Sequence, residues 1–430
     1  MAEDDDDSAR PPTSRGGGRR RFLLITAAVL AFFLLAGGTL AWLAYRKLDG
    51  NIGTDATTGR LLEHDASERP DRGPLQAENI LLIGSDDRSG ANAAYGYAGG
   101  RRSDTTILLH LSADRRHATA VSIPRDAMVR VPACELPDGT RTQARFMQFN
   151  WAFEAGGPAC TIRTVERLSG IRVDHHLILD FTGFKQMVDA VGGVEVCVPR
   201  AIHDKDAQLD LPAGRQTLGG EQALGFVRVR ETLGDGSDTQ RMGRQQQFLA
   251  SLIRKVQSQG VLLNPTRLWP LLDAATSAIT ADEGLSRVGE LYDLAQDLRS
   301  MPTENVVFLT TPRRPYPGNW DRDQLVQPQT DQLFAALRAD LPVAVQPYQV
   351  TPSPSPSPSR TPSPSPSAWA STYAGPFAPA YTPWPSAAAA EDATVETPTP
   401  DASSASAAPL PTTSPTLEGR TADQDSCAMH

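Results

Sequence analysis

The chain has 430 residues, 40% hydrophobic and 21% charged, with 35 prolines and a net charge of −9. Four cysteines in so long a chain exclude a small disulfide scaffold, and the acidic balance argues against nucleic-acid binding, which calls for a basic domain. Sixteen of the prolines fall in the last 80 residues, so the chain divides into parts with different physics.

From the N-terminus, Phe22 to Tyr45 run 24 positions without a charge. As a helix this stretch is about 36 Å long at ~1.5 Å per residue, enough to cross a ~30 Å hydrocarbon core. Signal-peptide apolar regions are shorter, ~7–15 residues, and no small-x-small cleavage site follows, so residues 22–45 are expected to be an uncleaved transmembrane helix. Trp42 and Tyr45, followed by Arg46 and Lys47, suit a membrane interface. Arg10, Arg15, Arg19, Arg20 and Arg21 precede the helix, so residues 1–21 are expected in the cytoplasm and the rest outside the cell membrane. Residues 46–77 are polar and rich in Gly, Asp and Arg, which reads as a stalk.

Next come three short apolar runs bounded by turn residues, ENILLIGSD (78–86), TTILLHLSA (105–113) and HATAVSIPR (117–125). Each predicts a buried strand, and Asp114-Arg115-Arg116 is short enough to make the last two a hairpin. Helices are expected at 150–155 and 161–169, the second ended by Gly170. HHLILDF (175–181) predicts a strand, 184–191 a helix closed by Gly192-Gly193, and VEVCV (194–198) a strand. GFVRVR (225–230) reads as a strand with alternating arginines. An amphipathic helix at 239–257, helices near 267–277 and 285–299, the strand VVFLTT (306–311) and a helix at 329–338 complete the series. Strands interleaved with helices predict an α/β domain over 78–345, a layered mixed β-sheet flanked by helices. Residues 346–430, rich in Pro, Ser, Thr and Ala and without lysine, are expected to be a disordered tail whose SPSPSPS repeats favour extended polyproline-like chain.

Cys134 and Cys160 are 26 residues apart among loops and short elements, and an oxidising compartment would let them pair as a disulfide. Cys197 sits in a strand-like run and Cys427 in the tail, each without an assigned partner. Neither CxxC nor Cys/His zinc spacing occurs.

Of the 41 basic residues only Lys47, Lys185, Lys205 and Lys255 are lysine. A GC-rich genome accounts for most of that bias, yet several arginines fall at strand ends, where a layered sheet places its ligands. Asp86 ends the first strand, Asp104 precedes the second, and Arg125 and Asp126 end the third. Arg228 and Arg230 would share one face of a strand, and Arg241 and Arg244 one side of a helix start. Singly, each has an ordinary use: a turn or helix cap for the carboxylates and for Asn150, a solvated strand face for the arginines. In conjunction they suggest an anionic substrate, with guanidinium forks for phosphate oxygens and carboxylates for a hard cation that fills its other positions with phosphate and water. The P-loop and GxSxG motifs are both missing.

The ordered set NILLIGSDDR, GRRSDTT, AVSIPRD, Asn150, EAGGP, TVERLSGIRVDHH, LDFTGFKQMVDAVGGVEV, LGGEQALGFVRVR and SDTQRMGRQQQF resembles the LytR-CpsA-Psr family of actinobacterial type, over about residues 78–260 and more faintly to about 345. The resemblance implies a phosphotransferase that takes a glycopolymer from a polyprenyl-pyrophosphate carrier and joins it to peptidoglycan, through a phosphodiester to the muramic acid 6-hydroxyl. It implies that Asp86 and Asp104 hold Mg2+ (or Mn2+), and that Arg125, Arg228, Arg230 and Arg241 bind the phosphates beside Asp104. Arg88, Arg102, Asp126, Asp238 and Arg244 are implied as further pyrophosphate contacts or supports, and either Asp104 or Asp126 as the acceptor of the proton. His176, Phe226 and Trp151-Ala152-Phe153 depart from the family pattern, all outside the carboxylate and arginine set. A pyrophosphate hydrolase using the same site and a non-catalytic wall-binding or regulatory membrane protein are the competing readings.

Overall fold

The apolar run lies within a long helix, α1 (Gly17–Asn51), whose segment Phe22–Asn51 is long and apolar enough to cross a membrane. The structure, a computed structural model, describes residues 17–74, 76–86, 103–229, 238–258, 265–346, 416–424 and 427. These belong to one unit formed by Met1–Tyr348 with Leu410–His430.

After α1 come β1 (Gly53–Thr54), α2 (Ala56–His64), β2 (Glu78–Ser85), β3 (Ser103–Leu111), β4 (Ala118–Ser122), and the small hairpin β5 (Met128–Val131) and β6 (Arg145–Gln148). Helix α3 (Trp151–Ser169), β7 (His175–Leu179) and α4 (Phe181–Ala190) lead into four short strands. These are β8 (Val194–Val198), β9 (Ile202–Asp204), β10 (Leu209–Leu211) and β11 (Gly214–Leu218). Then follow α5 (Gly220–Arg228), α6 (Asp238–Ser258), α7 (Pro265–Ala278), β12 (Ile279–Ala281) and α8 (Val288–Ser300). The last elements are β13 (Val306–Thr310), β14 (Arg313–Tyr316), β15 (Asn319–Leu325), α9 (Gln329–Arg338), β16 (Ala344–Gln346) and β17 (Thr416–Thr421).

Nine strands form the main sheet in the order β1-β12-β7-β2-β3-β4-β13-β17-β16. It is mixed as expected: β2 pairs antiparallel with β3 and parallel with β7, while β4 pairs antiparallel with β3 and parallel with β13. Alternating side chains serve its two faces. Leu81, Ile83, Leu108 and Val121 pack against Phe153, Ile162 and Val165 of α3 and Leu333, Phe334 and Leu337 of α9. Ile80, Ile107, Leu109 and Ala120 face the other way, towards Ala250 of α6 and Val288 of α8. A third cluster joins β8, β9, β10 and β11 to α4, α5 and α6, through Phe226 of α5 and Phe248 of α6. The consequence for the site is directional: the C-terminal ends of β2, β4, β7 and β13 and the N-terminal end of β3 all reach the same edge.

Three expectations need correction. Residues 46–77 are not a stalk: Leu48, Ile52 and Leu62 are buried, β1 pairs with β12, and Arg69 forms an ion pair with buried Glu166. The few apolar residues there are too widely spaced to show a period. The run GFVRVR is not a strand, because α5 covers it through Arg228. Ala223 and Phe226 provide the buried spacing of a helix, and Gly220 lets α5 approach α4 so closely that a Cβ there would lie 2.5 Å from the Lys185 carbonyl oxygen. The two helices expected over 150–169 both form and meet at a kink at Gly156-Gly157, where Gly157 takes φ +64°. Finally, the C-terminal segment is not uniformly a tail. Thr416–Thr421 enters the main sheet between β13 and β16, and Cys427 forms a disulfide with Cys197 of β8. The Cys134–Cys160 disulfide forms as expected.

Candidate functional site

At the converging edge, β2 and β3 are out of simple register. Gly84 faces Thr105 and Ser85 faces Ser103, which leaves Asp104 as the extra residue of a bulge. Bulges re-aim a side chain at a strand end, and the half-exposed Asp104 carboxylate meets a guanidinium brought by the next strand. Arg125 Nη1 donates to Asp104 Oδ1 at 2.7 Å, and Arg125 Nε to Asp126 Oδ2 at 3.1 Å. Three contacts hold this corner. Gln148 Nε2 donates to Asp126 Oδ1 at 2.6 Å, the Asn150 backbone N–H to the Arg125 carbonyl at 3.0 Å, and the Asp323 N–H to the Asp126 carbonyl at 3.0 Å. Arg125 is therefore pinned between two carboxylates with its side chain only 18% exposed.

Helix α6 closes the edge from one side. Arg241, buried, reaches the Asp104 carbonyl from Nη2 at 3.2 Å. Arg244, three residues on and also buried, donates instead to the Val229 carbonyl. Burial and the neighbouring Arg241 lower the Arg244 pKa to about 10. The geometry thus separates the two: Arg241 reaches the backbone of Asp104 at the sheet edge, and Arg244 holds the end of α5. Arg228 is on the last turn of α5, with its guanidinium 4.9 Å from the centre of the Phe181 ring.

Three consecutive glutamines, 100° apart around the helix, tie α6 to four strands, β3, β4, β13 and β8. Gln245 Nε2 donates to Thr105 Oγ1 at 3.0 Å, and Gln246 Nε2 to Ser122 Oγ at 3.1 Å and Thr310 Oγ1 at 2.9 Å. Gln247 Nε2 donates to the Cys197 carbonyl at 2.9 Å. These supports, like Gln148, were not singled out from sequence. The glutamine run itself was the available signal, since buried amides at successive helix positions must each find a partner.

Asp86 is buried just past the end of β2. Ser103, the cross-strand partner of Ser85, is also buried, and its hydroxyl has no hydrogen-bond partner. Two carboxylates and this orphaned hydroxyl make an all-oxygen donor set, which suits a hard cation such as Mg2+. Among the described residues no group of three or more His, Cys, Asp or Glu side chains is placed to hold a metal. Asn150 occupies the N-cap position of α3 without a capping bond from its side chain, and its Oδ1 is buried without a partner. Arg88, Arg102 and Arg230 lie outside the described residues; Asp238 begins α6.

The chain is 35% identical over 277 residues to the cell wall biosynthesis protein LcpA of Corynebacterium glutamicum, covering 58% of this chain and 52% of the relative. It is 38% identical over 237 residues to the probable cell wall biosynthesis protein LcpB of the same organism, covering 53% and 54%. It therefore spans about half the length of the curated relatives it matches. The polyisoprenyl-teichoic acid–peptidoglycan teichoic acid transferase TagT of Bacillus subtilis is 32% identical over 186 residues, 42% of this chain and 53% of the relative. Among solved structures, a LytR-Csp2A-Psr enzyme from Actinomyces oris aligns with a TM-score of 0.49 at 22% identity, covering 63% of this chain and 93% of that one. The profile of the LytR_cpsA_psr family matches residues 47–339, more than half of the chain and including the segment read as a stalk, and the chain belongs to that family.

Proposed function

We propose that this protein is a membrane-anchored phosphotransferase that moves a glycopolymer from a polyprenyl-pyrophosphate carrier onto peptidoglycan, with α1 as its anchor and the sheet domain outside the membrane. The observation that carries the reading is the Arg125 clamp: a guanidinium held by Asp104 and Asp126, with buried Arg241 beside the same Asp104. Such a centre suits charge that gathers on phosphoryl oxygens during transfer. The name of the TagT relative, polyisoprenyl-teichoic acid–peptidoglycan teichoic acid transferase, points the same way.

In this reading Arg125, Arg228 and Arg241 bind and orient the pyrophosphate, with Arg230 and, in support, Arg88, Arg102, Asp238 and Arg244. Asp86 and Asp104 would hold Mg2+ (or Mn2+), which when bound neutralises pyrophosphate charge and polarises a phosphoryl oxygen. An acceptor hydroxyl, that of muramic acid C6, attacks the sugar-linked phosphorus. The bond to the bridging oxygen breaks, and polyprenyl monophosphate leaves. Both Asp126 oxygens are engaged, by Gln148 and Arg125, so Asp126 orients Arg125, and the hydroxyl proton passes to one of the two carboxylates that flank that guanidinium, Asp104 or Asp126.

The test incubates the full chain in detergent with Mg2+, a polyprenyl-pyrophosphate-linked glycan and peptidoglycan fragments, beside Asp104→Ala and Arg125→Ala. Glycan joined to peptidoglycan by the wild type, and lost in both variants, is the expected result. Lipid consumed without attachment would convert the reading to a hydrolase, and no reaction in any tube would overturn it.

A further inference from the structure

Beyond α1, the two most exposed aromatic side chains among the described residues are Trp320, 85% exposed, and Phe146, 54% exposed. They sit on different hairpins, and both hairpins are fastened to the Arg125 corner. Phe146 is two residues before Gln148 on β6, so the two side chains share a face, and Gln148 is the residue that donates to Asp126. Two residues of strand span roughly 7 Å. On the other hairpin, Asp323 of β15 is bonded through its backbone to Asp126 and paired with Arg313 of β14. The tip of that hairpin turns back towards β6. The Tyr316 ring lies 6.3 Å from the Phe146 ring at 45°, and Trp320 follows Asn319, the cross-strand partner of Tyr316. Arg130 is the cross-strand partner of Phe146 and is exposed.

Phe146 and Tyr316 thus form an aromatic pair close to the residues that hold the clamped guanidinium, with Arg130 opposite Phe146. The exposed Trp320 is next to the Tyr316 partner on the same hairpin, and together they offer a strip of aromatic surface leading away from the clamp. Phe146 and Trp320 leave apolar ring surface exposed to water, a hydration cost that a ligand would relieve. Their flat apolar faces with polar rims match the C–H faces and hydroxyl edges of pyranose rings, and a guanidinium matches a carboxylate.

We propose that this strip seats the acceptor: a chain of amino-sugar pyranoses bearing carboxylates, stacked on Trp320, Tyr316 and Phe146 with Arg130 facing an acidic substituent. The inference rests on the phosphotransferase reading for the identity of the acceptor, and on continuity with the Arg125 corner for its place. The strip sets the acceptor chain one or two sugars from the reacting phosphorus, so that one hydroxyl is presented to it and water is not.

The test titrates the full chain in detergent with purified glycan strands of alternating N-acetylglucosamine and N-acetylmuramic acid carrying their peptide stems. Binding is read by tryptophan fluorescence and calorimetry, for the wild type, Trp320→Ala, Phe146→Ala and Trp320→Phe. Each alanine variant is expected to weaken glycan binding roughly tenfold, as removal of a central aromatic anchor does, with unchanged melting temperature and unchanged affinity for the donor lipid. Trp320→Phe should recover most of the affinity, and in the transfer assay the loss should appear in the acceptor KM. Glycan affinity equal to wild type in both alanine variants would overturn the proposal, as would no binding by the wild type. It would equally be overturned if the substitutions abolished binding to anionic lipid vesicles, or self-association in sedimentation, while glycan binding persisted. Glycan bound through the strip with no transfer under any condition would sink the phosphotransferase reading and leave the seat standing. Transfer with an unaltered acceptor KM in the variants would do the reverse.

Discussion

Arg69→Ala removes the counter-ion of Glu166. In the wild type Arg69 Nε lies 3.0 Å from both carboxylate oxygens, and Nη2 lies 2.6 Å from Oε1 and 2.9 Å from the Val173 carbonyl. The side chains of Arg69 and Glu166 are only 8% and 1% exposed. Without the guanidinium the buried carboxylate keeps one donor in these contacts, the Val173 N–H at 3.1 Å. Breaking a buried pair by removing one partner costs roughly 3–5 kcal/mol, a large part of the ~5–15 kcal/mol that holds a domain. At ~2–4 °C per kcal/mol for a domain of some 150–250 residues, the melting temperature should fall by about 10 °C. Thermal unfolding of the full chain in detergent, followed by near-ultraviolet circular dichroism, reads it. The double variant Arg69→Met with Glu166→Met, which leaves no orphaned charge, should recover most of the loss. A single variant melting within about 2 °C of wild type would refute the reasoning and return residues 46–77 to the role of a stalk.

Arg125→Ala should reduce glycan transfer about 10²–10³-fold, in line with loss of one preorganised transition-state donor, and Gln148→Leu should cost less because it only loosens Asp126; equal losses in a single-turnover assay would contradict that order. Burial alone would lower the pKa of His175, but Asp282, 3.1 Å away, and Glu78 raise it. The stabilisation from that pair is therefore complete below the unfolded value near ~6.5 and is lost as pH rises through the folded pKa. Asp282→Asn should remove this dependence and bring the His175 titration down in an NMR experiment, and a value that stays raised would show that Asp282 is not the cause. Asp55, which burial would raise, is held at about 2 by hydrogen bonds from His176 and Thr58. Its contribution is present above ~3.8 and disappears as pH falls through about 2; Asp55→Asn should flatten the acid limb of an unfolding curve, and an unchanged limb would exclude it. Cys197→Ser opens the link to Cys427 and should cost roughly 2–5 kcal/mol; amide exchange in β17 should quicken, and unaltered protection there would mean that the sheet holds the segment without the disulfide.

The membrane-length helix, the strands β2, β3, β4, β7, β8 and β13, and the helices α4, α6 and α9 were legible because side-chain character is local, as a long apolar run or as a repeat every second residue or every 3.6. Asp86, Asp104 and Arg125 were legible for a related reason: they are polar residues at the ends of apolar runs, and in a layered sheet those ends line the ligand edge. Arg228 was placed on the wrong kind of element because five or six residues of alternating character do not distinguish a strand from a short helix.

Sequence alone determined that the chain carries a membrane-length helix, an α/β layered domain and a set of carboxylates and arginines at strand ends. Tertiary structure decided which of these meet. The bulge that isolates Asp104, the turn of Arg241 towards it and of Arg244 away, and the Gln148 brace on Asp126 all depend on contacts between elements distant in sequence. So do the burial of Leu48, Ile52 and Leu62, the return of Thr416–Thr421 to the sheet, and the Cys197–Cys427 pair across 230 positions. The physical reason is common to them: a polar or single apolar residue gives no periodic signal, and its partner is chosen by packing and by the need to satisfy buried hydrogen-bonding groups, which exist only once the sheet has assembled.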